Sequence, residues 1–251
     1  MEQSGTSTPL LGTVHDLAAG VVSALRGGDH VPVAGRAVVD DSSAGFLTAA
    51  VRVLGADLLL PDVLFHTSPD AGELAVFRKA VEAFPPGPDA TPAVRWSHWA
   101  MARALRRFEP SFPHEPHAPG RPSDPSGPLD PLDGEEGAEP CAAWLDAADW
   151  RSLTHQLAVL AALAVPGEDS AVARAARGRP IDVARGFVRA VRRRDWQQAA
   201  GAGRWLTQLD GVPDTLGLGT GLDFVELMGG TDPRVTLQVQ AARILRTGAR
   251  V

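Results

Sequence analysis

Residues 91–108 read TPAVRWSHWAMARALRRF, and this stretch decides the fold class. Thr91 is a capping residue, and Pro92 takes the first helical position, where the missing N–H has no intrahelical acceptor to lose. Val94, His98, Met101, Leu105 and Phe108 then recur at three and four residues. That spacing places side chains on one face of a helix with 3.6 residues per turn. The same start signal stands at Ser68-Pro69, before Leu74, Phe77, Val81 and Phe84, and at Asp232-Pro233, before Val235, Val239 and Ala242.

Working outward, helices are expected over 10–26 and over 42–55, the second with Phe46, Ala50, Val53 and Leu54 on one face. Trp150, Leu153, Leu157, Leu160 and Ala164 form another apolar stripe, closed by Pro166-Gly167. Residues 180–194 and 195–209 read as an antiparallel helical pair, and 232–246 as a last helix. Gly217, Gly219 and Gly221 lack the G-x-G-x-x-G spacing of a phosphate loop and read as a turn before a helix near Leu222. The expected fold is therefore mainly α, in two helical bodies over 8–109 and 141–249. An α+β first body, with a small β element at 31–66, is the alternative.

Between the bodies, over 110–140, prolines stand at 110, 113, 116, 119, 122, 125, 128 and 131, a strict interval of three. A polyproline II helix has three residues per turn, so all eight rings would share one edge of a rod roughly 65–70 Å long. Such a segment serves as a spacer or as a docking strip, with Pro113, Pro116, Pro119 and Pro122 as contact positions. His114 and His117 sit within it. At i and i+3 on such a rod they stand ~9 Å apart, too far to converge on one metal ion.

The chain has 251 residues and one cysteine, Cys141, which excludes an internal disulfide and a multi-thiolate zinc site. All but one of its 24 basic residues are arginine, and asparagine and tyrosine are absent, a bias typical of GC-rich bacterial coding sequence. The net charge is −6, which repels a polyanion, so nucleic acid is not an expected partner. Residues 110–140 carry one basic and seven acidic groups and account for that whole excess (1 − 7 = −6). No apolar run approaches the ~18 residues of a membrane span, and the N-terminus lacks the order of a secretory signal, so a cytoplasmic protein is expected.

Three constellations could carry chemistry. If Arg36 to Val39 and Leu58 to Phe65 were parallel strands around helix 42–55, Asp40, Asp41 and His66 would meet at one sheet edge and suit Mg²⁺. With its acidic pair Asp40-Asp41 and the run Pro61-Asp62-Val63-Leu64-Phe65, this segment resembles a response-regulator receiver. The resemblance implies paired strands, although His66 stands near where the phosphorylated aspartate belongs and no strand–lysine follows. His98, between Trp96 and Trp99, is a candidate base or a core histidine satisfied by backbone. Arg185, Arg189, Arg192 and Arg193 share one helix face and suit an acidic partner.

No H-E-x-x-H, G-x-S-x-G, P-loop or C-x-x-C motif occurs. The expected function is a non-catalytic accessory or adaptor protein that binds another protein and needs no cofactor. A small-molecule or metal-dependent enzyme near Asp40, Asp41, His66 or His98 is the alternative.

Overall fold

The computed structural model describes residues 7–27, 41–108 and 138–248. Among these the regular elements are helical and no strand occurs. In chain order they are α1 (Ser7–Leu25), α2 (Asp41–Leu54), a 3-10 turn (Gly55–Leu59), α3 (Leu60–Phe65), α4 (Ala71–Ala83) and α5 (Pro92–Phe108). After residue 138 come α6 (Ala143–Asp146), α7 (Trp150–Val159), a 3-10 turn (Ala161–Leu163), α8 (Ala171–Arg177), α9 (Pro180–Arg192) and α10 (Trp196–Leu206). A 3-10 turn (Asp214–Leu216), α11 (Leu218–Gly229) and α12 (Pro233–Gly248) complete the order. No helix among the described residues is long and apolar enough to cross a membrane. The proline-phased positions 110–137, with Pro113, Pro116, Pro119 and Pro122, lie outside the described residues.

The helix starts follow local chemistry. α5 and α12 begin at the prolines expected to open them. α4 begins later than the Ser68-Pro69 signal, because Asp70 accepts hydrogen bonds from the N–H groups of Gly72 and Glu73. Asp149, Ser170 and Asp195 cap α7, α8 and α10 in the same way, each satisfying N–H groups that lack an intrahelical partner.

Other expectations need correction as well. Leu58 to Phe65 is not a strand: it runs through the 3-10 turn Gly55–Leu59 into α3, with Pro61 in the first helical turn. Leu58, Leu59 and Leu60 are consecutive and all buried, and a short continuous apolar run has no period by which strand and helix differ. The β element is thereby removed from 41–66, while residues 28–40 lie outside the described set. α11 starts at Leu218, earlier than the expected turn allowed, with only Gly217 left-handed ahead of it (φ 60°).

The two remaining corrections concern the direction of a face. Val94 is 41% exposed, and α5 buries Trp96, Trp99, Ala100, Met101 and Leu105. Val53 is likewise exposed, whereas Ala50 and Val51 are buried.

Packing centres on α10, whose residues Ala199 to Leu206 are all buried and which touches α7, α9, α11 and α12. α12 also lies against α1, which packs on α2, and α2 on α4. Two apolar clusters result. Trp96, Trp99 and Ala100 of α5 join the cluster built by α7 to α12, while Met101 and Leu105 of α5 join that of α1, α2 and α4. α12 divides in the same way: Val235, Val239 and Ala242 enter the first cluster, Leu237 and Ala241 the second. Between the clusters, Asp57 and the fully buried Arg204 form an ion pair.

Candidate functional site: an arginine-lined groove on α9

The sequence of α9 separates its two sides sharply. Val183, Ala184, Phe187 and Ala190 are buried against the core, an i, i+1, i+4, i+7 stripe. Arg185, Arg189 and Arg192 lie on the outer side, and Arg193 follows as the C-terminal cap. These four arginines, together with Ile181 and Val188, line one wall of a cavity of about 750 Å³. Trp150 at the start of α7 and Pro213 and Leu216 beyond α10 close the other side. Elements far apart in sequence thus convert a helix face into a groove.

The charge in the groove is unbalanced. No aspartate or glutamate lines the cavity. Asp182 stands one turn ahead of Arg185, but it is already held by Arg179 (Nε 2.9 Å, Nη2 2.6 Å) and lies 3.7 Å from Arg185. Asp149 is committed to the N-terminus of α7, where the N–H groups of Arg151 and Ser152 hold its carboxyl below the usual carboxylate range. Asp195 accepts from the N–H of Gln198. Arg189 leans toward the Trp150 ring, 6.0 Å from its centroid, and Arg151 stacks on the same ring at 4.7 Å. Arg192 and Arg193 are exposed and have no carboxylate partner among the described residues.

The spacing of the arginines also places like charges side by side along α9. Arg189 stands at i+4 from Arg185 and at i−3 and i−4 from Arg192 and Arg193, and like charges at these separations destabilise a helix by about 0.2–0.5 kcal/mol per pair. Arg189 and Arg192 also lie in the last turn of α9, where positive charge favours the helix dipole by about 0.3–1 kcal/mol each, which offsets that repulsion; the arrangement presents positive charge over an apolar floor.

The other candidates fare differently. His98 on α5 faces the Val81 carbonyl, with Nε2 at 3.2 Å, so Nε2 carries the proton of the neutral ring and donates it. Burial lowers the His98 pKa; the Val81 carbonyl acts in the opposite sense and the charge of Arg52 adds to the lowering. This geometry commits one ring nitrogen to the backbone.

A pH effect follows. Because the folded-state pKa is depressed, the unfolded chain binds the proton more readily. The contribution of neutral His98 is thus present above the ordinary histidine value of about 6.5 and is lost as pH falls through the lowered folded value. The urea midpoint of the wild type is expected to fall more between about pH 7.5 and 5 than that of His98→Gln. Equal losses in the two proteins would show that His98 has no such role.

His66 is exposed at the left-handed C-terminus of α3 (φ 54°), and Asp41 is the first residue of α2. Asp40, of the expected trio Asp40, Asp41 and His66, lies outside the described residues. No group of three or more metal-ligating side chains occurs among the described residues. Trp150, Pro213 and Leu216 carried no functional signal in sequence, since each contributes to the groove only through tertiary packing.

No protein-family model, curated protein or solved structure matches the chain, so the functional reading rests on the chemistry of this surface.

Proposed function

We propose that this protein is a non-catalytic interaction protein that docks an acidic partner protein in the α9 groove. The observation that carries the reading is the set Arg185, Arg189, Arg192 and Arg193, gathered over Trp150, Ile181 and Val188 with no acidic side chain in the cavity. Guanidinium groups beside aromatic and aliphatic surface are the composition of protein–protein contact centres, where arginine and tryptophan dominate binding energy. The proline-phased segment is a second, extended contact element on this reading, supported by its sequence alone.

The test is affinity capture from the native cell extract with the full-length chain as bait. A stoichiometric protein partner is expected, released as salt rises because exposed charges are screened beyond ~10 Å at 0.1 M. Arg189→Glu with Arg192→Glu is expected to remove it, with circular dichroism of the bait unchanged. Replacing Pro113, Pro116, Pro119 and Pro122 by glycine measures the share of the extended segment. A partner held equally by the arginine variant would refute the groove as the docking surface.

A further inference from the structure

We propose that the occupant of the α9 groove is an acidic amphipathic helix of the partner, an inference that deepens the interaction reading and rests on it. Ile181 and the partly buried Val188 line the groove at i and i+7, with the core residue Ala184 forming its floor between them, a spacing by which one helix packs along another. Ile181 is 47% exposed, so the outer end of that seam is uncovered. Arg185 and Arg192 stand four residues beyond Ile181 and Val188, on the shoulder of the seam, the place where paired helices carry complementary charge.

The run from Arg185 to Arg193 spans about 12 Å at 1.5 Å per residue. A helix laid along it presents carboxylates at the same rise, so glutamates spaced i, i+4 and i+7 come into register with the arginines. Trp150 and Leu216 across the cavity then give the incoming helix an apolar wall opposite α9.

Charge decides the sign of the partner. The lining side chains provide four guanidinium groups and no carboxylate, and Asp182, 3.7 Å from Arg185, is held more closely by Arg179. A nucleic acid would satisfy the charge but not the apolar seam.

Two synthetic peptides of identical composition test the proposal on the full-length protein. The patterned one carries glutamates at i, i+4, i+7 and i+8 beside a leucine seam, and the scrambled one breaks both periods. Fluorescence anisotropy of labelled peptide is expected to show the patterned one binding at least about tenfold tighter than the scrambled one. Arg189→Glu with Arg192→Glu is expected to weaken the patterned peptide by about tenfold or more, and a third peptide with lysines in place of the glutamates to regain affinity for that variant. A variant that failed to fold could not show that regain.

If scrambled and patterned peptides bind equally and both depend on the arginines, the groove takes acidic chains without helical order, and the helix falls while the interaction reading stands. If neither binds and the lysine peptide restores nothing, both fall. If binding emerges only when Asp130, Asp133, Glu135 and Glu136 are replaced by serine, this chain's own acidic segment is the occupant and the partner helix is overturned.

Discussion

Asp57→Ala is expected to remove about 3–5 kcal/mol of folding stability, the cost of leaving a buried charge without its partner. Arg204 is fully buried and donates through Nη1 to Asp57 Oδ1 at 2.6 Å and to Gln238 Oε1 at 2.9 Å, and through Nε to the Ala164 carbonyl at 3.2 Å. Gln238 closes the network by donating to Asp57 Oδ2 at 2.5 Å. Nη2 of Arg204 has no hydrogen-bond partner among the described residues, so this guanidinium has no spare acceptor to turn to. Taking away the carboxylate strands a cation between the two apolar clusters.

Arg204→Met is expected to cost a comparable amount by stranding the carboxylate. The double variant Asp57→Leu with Arg204→Met is expected to recover most of the loss, because replacing both charges by apolar groups removes the desolvation penalty along with the attraction. Urea unfolding of Asp57→Leu, Arg204→Met and the double variant, beside Asp57→Ala, measures this coupling as a double-mutant cycle. Single variants that each lose less than about 1 kcal/mol would show that the buried network contributes little. Domain stabilities are about 5–15 kcal/mol, so the expected single losses are a large share of the whole.

Gly201→Ala is expected to destabilise despite improving helix propensity. A Cβ at Gly201 would stand 2.7 Å from the Ala158 carbonyl oxygen and 2.9 Å from its Cα, both backbone atoms of α7 that cannot rotate aside. Alanine gains about 1 kcal/mol over glycine in a helix interior, whereas overpacking a core costs about 1–3 kcal/mol and more where backbone must move. The steric term wins because α10 is enclosed on every side: at Gly203 the same substitution would meet Leu222 and Phe187. Gly20 in α1 provides the contrast, since a Cβ there meets nothing within 4 Å. Gly20→Ala is accordingly expected to stabilise by about 0.5–1 kcal/mol. Thermal unfolding of the two variants should move in opposite directions, by about 2–4 °C per kcal/mol for a chain of this size. A Gly201→Ala midpoint at or above that of the wild type would refute the close approach of α7 and α10.

The contrast between these two glycines shows where local reading ends. Both stand in helical sequence, and nothing near either one tells which of them meets another backbone. The same limit applies to the face of α5. Its period predicts a helix beginning at Pro92, and the helix is there. The choice between Val94 and the pair Trp96 and Trp99 as inward side chains depends on what packs against them, and the bulkier tryptophans carry more apolar area into the core.

Sequence by itself determined the helical class, the prolines and the aspartate that open α5, α10 and α12, and the common face of Arg185, Arg189, Arg192 and Arg193, because caps and periodicity act within one or two turns of the chain. Tertiary structure alone decided that Leu58 to Phe65 is helical, that Asp57 reaches Arg204 across 147 positions, and that Trp150 and Leu216 turn an arginine face into a groove. Those outcomes depend on which elements meet, and contact between distant segments leaves no period in the sequence of either one.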